Sequence, residues 1–119
     1  MRYMLLIYGD EKAWAALPPE QQEQLGSEQF KRYDEYSQWL RDKGLYLAGD
    51  PLHGTPQATT VRVREGATAT TDGPFAETKE QLGGYYLIEA ENLDQAIEAA
   101  ARCPGAENGS MEVRPVMGM

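Results

Sequence analysis

Residues 2–8 read RYMLLIY, a short apolar run closed by Gly9 and Asp10. Apolar side chains occupy both alternating sets of positions, so a strand here would be apolar on both faces, as a central strand is. Trp14, Ala15, Ala16 and Leu17 then lead to Pro18-Pro19, which fix an extended entry to a helix whose first turn tolerates proline. Residues 20–43 have helical composition. Phe30, Tyr33, Ser37 and Leu40 recur at spacings of three and four, and Tyr36 and Trp39 widen that stripe into one apolar face. Gly26-Ser27 is expected to break or kink the segment, with Ser27 as a new N-cap. Gly44 is expected to stop the helix in the left-handed conformation.

Residues 45–48 read as a second strand, ending in the turn-rich stretch 49–56. Residues 59–64 (TTVRVR) alternate, Glu65-Gly66 makes a tight turn, and residues 67–71 return, which is a hairpin signal. Asp72-Gly73-Pro74-Phe75 opens a loop that runs through Lys79, and residues 82–90 (LGGYYLIEA) form another apolar strand. Asn92, with Gln95 three residues on, has the spacing of a capping box. Leu93, Ala96, Ile97 and Ala100 are expected to face the core, and Pro104-Gly105 to end that helix. Residues 111–116 (MEVRPV) make the last strand, and Pro115 argues for an edge position.

Strand, helix, strand, hairpin, strand, helix, strand is an α+β order. It predicts a ferredoxin-like antiparallel sheet with two helices on one face and an inserted β-hairpin, all in a single domain over residues 1–119. The central strands are apolar on the other face too, and a second copy of the chain is the simplest cover, so a homodimer is expected.

Eleven Lys and Arg against nineteen Asp and Glu leave a net charge of −8. Nucleic acid and anionic membrane surfaces both demand clustered cations, so neither is an expected partner. No apolar run approaches the roughly 20 residues needed to span a bilayer. Cys103 is the single cysteine, which suits a reducing compartment, and the first ten residues lack the layout of a signal peptide; a cytoplasmic location is expected. One histidine and one cysteine make no zinc-ligand spacing, and no glycine-rich phosphate loop is present, so no metal or cofactor is expected.

Residues 58–85 read ATTVRVREGATATTDGPFAETKEQLGGY. This stretch resembles the signature of the DGPF branch of the YCII-related family, in which a V-R-x-x-x-G hairpin leads into D-G-P-F-x-E-x-K-E and then G-G-[FY]. Arg62, Gly66, Asp72, Gly73, Pro74, Phe75, Glu77, Lys79, Glu80, Gly83, Gly84 and Tyr85 carry the likeness, and residues 112–116 (EVRPV) extend it. The resemblance implies a dimeric α/β barrel, two sheets packed face to face. Some family members are encoded beside alternative sigma factors, which implies a regulatory or accessory role and a regulatory protein as a further partner. Shorter relatives resemble lyase-type enzymes with a histidine on the first helix and an aspartate before a proline after the second. Tyr33 and Cys103 stand at those places here, so the family's acid–base pair is not carried over. A phenol with its ordinary pKa near 10 is a poor base at neutral pH.

The residues themselves offer several candidates. Asp72 precedes a glycine and a proline; the proline lacks the N–H that a turn aspartate usually takes, so its carboxylate pins the loop through another partner or points into a pocket as a base. His53, the sole histidine, is a second candidate base near neutral pH, or a surface turn residue. Arg62 and Arg64 share one face of the hairpin and are placed either to hold an anion bidentately or to face solvent. Phe75 is expected to plug the core or a dimer seam. Glu77 and Lys79 are either solvated charges or, with the arginines and Tyr33, the lining of a ligand cleft. Three functions follow: a dimer binding a small organic ligand, a cofactor-free lyase or isomerase using Asp72 or His53, and a regulatory protein partner.

Overall fold

The structure, a computed structural model, describes residues 1–118; Met119, the last residue of the expected domain, lies outside them. Strand β1 (Arg2–Gly9) runs up the middle of a four-stranded sheet, antiparallel to β5 (Gln81–Glu89) on one side and to β6 (Ser110–Pro115) on the other. Strand β2 (Tyr46–Pro51) pairs antiparallel with β5, giving the order β2-β5-β1-β6. Helix α2 (Pro19–Asp42) and helix α3 (Leu93–Arg102) connect the pairs, and both short helices, α1 (Glu11–Ala15) and α4 (Gly105–Asn108), extend those connections. This is the ferredoxin-like order that the sequence predicts. Strands β3 (Thr59–Arg64) and β4 (Ala67–Asp72) form a separate two-stranded sheet.

The core lies between one face of the sheet and the helices. Tyr3, Leu5, Tyr86 and Ile88 alternate along β1 and β5 and are buried against Tyr36 and Leu40 of α2 and Ala96, Ala99 and Ala100 of α3. The alanines let α3 sit close to the sheet. The buried Tyr36 hydroxyl donates to Ala99 O at 2.6 Å, satisfying the polar tip of an otherwise apolar side chain. The opposite face carries Met4, Leu6 and Leu87, only partly shielded, in a patch with a polar rim. On that rim Tyr8 donates to Glu112, which also takes Arg114, while Tyr85 donates to Asp50 at 2.9 Å. Among the described residues no helix is long and apolar enough to cross a membrane.

Three local readings are corrected, and two short helices are added. Helix α2 runs unbroken through Gly26-Ser27, and the Trp14 ring packs beside Gly26, its Cη2 3.8 Å from where a Cβ would stand. Residues 11–15 form α1, capped by Asp10, whose carboxylate accepts from the Lys12 and Ala13 amides. On α3 the core face is alanine: Leu93 and Ile97 are each 49% exposed on its flank. Helix α3 does end at Arg102, just before Pro104-Gly105, and α4 follows as a separate short helix. The Asn92 cap does accept from Gln95 N, but the Gln95 side chain accepts from Glu91 N, one residue before the capping-box position.

Candidate functional site

The stripe of α2 that points away from the core meets α1 and the glycine-rich ends of the strands around a cavity of about 890 Å³. Trp14 and Leu17 form one wall, Leu25, Gln29 and Tyr33 the other, and Ile7 and Tyr86 the floor. Glycines let the lining side chains approach the backbone closely. A Cβ on Gly105 would lie 2.7 Å from both Ile7 Cγ2 and the Tyr33 hydroxyl, and one on Gly49 would lie 2.5 Å from the Tyr86 ring. Phe30 sits at the mouth, 77% exposed. The volume is that of a typical small-molecule site.

The lining is mainly apolar in area but also carries polar groups, the carboxylates of Asp10, Asp34 and Asp50 among them. Ser37 and Tyr86 share a hydrogen bond of 2.8 Å, and Arg41 lies over the Tyr46 ring at 4.3 Å from its centroid. Among the described residues the Gln29 Oε1 is enclosed without a hydrogen-bond partner. The Cys103 thiol points at the Tyr33 hydroxyl at 3.9 Å, so the two places at which the resemblance puts the histidine and aspartate of the lyase-type relatives do face each other across α2 and α3. Neither is poised as a base here. Burial pushes the Tyr33 phenol up, well beyond its ordinary value, and the Cys103 thiol opposite pushes the same way. Burial likewise raises the Cys103 thiol. Both stay protonated and neutral, so neither of this pair serves as a general base at neutral pH.

Of the other candidate site residues, none lines the cavity, although Gly83 and Gly84 of the motif do. Arg62 and Arg64 do share one face of the hairpin, opposite Ala69 and Ala67 of β4, and that face is open to water. Asp72 ends β4 exposed, and among the described residues its carboxylate has no hydrogen-bond partner; the loop is fixed instead by the Gly73 amide donating to Ala58 O at 2.7 Å and by Thr60 Oγ1 donating to Gly73 O. Phe75 is 81% exposed, so it does not plug the core of its own chain. Glu77 and Lys79 are exposed on the same loop, and His53 is exposed in the turn before a 3₁₀ segment, Thr55–Gln57. Tyr33 alone joins the site. Trp14, Gln29, Ser37, Tyr86 and Gly105 were not legible as site residues; Tyr33 and Ser37 belong to the stripe recognised on α2, but that stripe read as core.

The comparisons agree with this architecture. The family model described as the YCII-related domain matches residues 1–119. An uncharacterised protein of Rhizobium meliloti (strain 1021) is 37% identical over 118 residues, which covers 98% of this chain and 92% of that one. On the full-length match of the family model and on this relative, the chain belongs to the YCII-related family.

Proposed function

We propose that the protein is a dimeric binding domain of the DGPF branch, in which each protomer holds a small, mainly apolar organic molecule in an accessory role. The observation that carries the binding is the cavity of about 890 Å³ between α1, α2 and the sheet, walled by rings and aliphatic chains. An enzyme using Asp72 or His53 requires one of them beside the bound molecule, and both stand outside the lining. The dimer is supported by the open sheet face, whose apolar centre of Met4, Leu6 and Leu87 and polar rim have the anatomy of an interface. Two such faces in contact give the face-to-face barrel that the family resemblance implies.

The test uses the neutral apolar dye N-phenyl-1-naphthylamine, together with the fluorescence of Trp14 in a Trp39→Phe background. Trp14 lines the cavity, whereas Trp39 stacks on Tyr36 and under Arg102 away from it. Saturable binding of one dye per protomer, with a change in Trp14 emission, is expected. Gln29→Trp fills the groove and removes the enclosed amide oxygen, so it should abolish binding without lowering the melting temperature. Dye binding that survives Gln29→Trp, or no saturable binding at all, overturns the assignment.

A further inference from the structure

We propose that the β3–β4 arm clasps a second copy of the chain, laying its Val61 and Val63 face and Phe75 against the partner's body. This rests on the face-to-face dimer proposed above, and extends it to a part of the chain that the dimer does not by itself require.

Every residue from 61 to 72 is exposed, although the strands are fully paired with each other. A two-stranded hairpin is marginal in water on its own and needs a surface to lie on. The arm is also two-sided. Val61 and Val63 stand with Thr70 and Thr68 on one face, while Arg62 and Arg64 stand with Ala69 and Ala67 on the other. The valines are 59% and 58% exposed. The turn at Glu65 and Gly66, with φ of 53° and 77°, sets the twist of the arm, and the Gly73 and Thr60 bonds fix its base, so the valines and Phe75 are held outward by a built structure. The radius of gyration is 16.3 Å, against roughly 13.5 Å for a compact chain of this length. The arm is what reaches outward.

Area and charge both name a second copy as the occupant. Four strands about 4.8 Å apart and six to nine residues long make a face of roughly 450 Å² in projection. Corrugation by side chains raises that by about half, still short of the roughly 800 Å² that a stable interface takes from each partner. An arm about 20 Å long, added from each protomer, supplies the remainder. The chain carries a net charge of −8, so two bodies repel, but within residues 59–72 Arg62 and Arg64 balance Glu65 and Asp72. The arm is therefore the segment that approaches an acidic twin without a like-charge penalty.

Sedimentation equilibrium over a concentration series is the test, comparing the full chain with a Val61→Ser, Val63→Ser, Phe75→Ser triple variant. All three side chains are exposed, so the protomer should keep its circular dichroism spectrum and cooperative melt. The dimer dissociation constant should rise at least tenfold. In parallel, Val63→Cys labelled with a benzophenone should photocross-link one copy to another, since the buried Cys103 is shielded from the label. An unchanged dissociation constant, or cross-links that stay within one copy, overturns the clasp while leaving the sheet-face dimer standing. A wild-type chain that remains monomeric throughout overturns both.

Discussion

Strands β5 and β3 both send successive side chains to opposite faces, and they end in opposite environments. Along β5, Gly84, Tyr86 and Ile88 are buried while the residues between them are not; along β3, Val61 and Val63 alternate with Arg62 and Arg64, and none of the four is buried. The difference is cover. Helices α2 and α3 return over β5 and β1, bringing Leu40 and the α3 alanines onto them, whereas nothing in the described chain returns over the arm. Alternation tells which side chains share a face, and only the path of the chain tells what that face meets.

The largest effect that sharpens this contrast is expected in the body. Leu40→Ala removes a fully buried side chain between α2 and the sheet and should cost about 3 kcal/mol, read by urea denaturation. A loss below about 1 kcal/mol would mean that the body is no better packed than the arm. A smaller effect is confined to alkaline solution. Burial raises the Cys103 thiol above its ordinary value of 9.0, so its contribution is fully present below that pH and is lost as pH rises toward the folded-state value, because the unfolded chain ionises first. The stability of the wild type should fall above pH 9, and Cys103→Ala should fall less steeply there; parallel pH profiles would break the assignment. The smallest effect belongs to the arm. Val61→Ser with Val63→Ser should change the stability of the isolated protomer by less than about 0.5 kcal/mol, measured by urea denaturation under dilute, monomeric conditions. A loss approaching that of Leu40→Ala would show that the arm packs on its own body.

Much of the fold was legible because its signals are local. Gly44 does stop α2, at φ 71°, Glu65-Gly66 does turn the hairpin, and Pro115 does lie on an edge strand, opposite Tyr3. The misreadings arise where a distant group decides. Gly26 looks like a break, yet a single glycine is carried inside the long helix α2, and Leu93 and Ile97 look like core until the alanines of α3 are seen to fit closer to the sheet. The site was less legible than the fold. Its lining comes from α1, α2 and three strands, several of its residues are glycines that show no side-chain chemistry, and Tyr33 alone is shared with the candidate site residues read from the sequence. Asp72, Arg62 and Lys79 drew notice because charged residues in a tight motif suggest chemistry, yet they stand on the arm and the loop after it.

The sequence by itself determined the order of the strands and the two long helices, the hairpin and its turn, the caps at Asn92 and Gly44, and the family, since each depends on neighbouring residues or on a contiguous motif. Tertiary structure alone decided that a cavity opens beside Tyr33, that Tyr33 meets Cys103, and that the arm stands bare. Those are matters of which surfaces meet across long chain separations, and the free energy of burial depends on what a side chain touches, which no local pattern records.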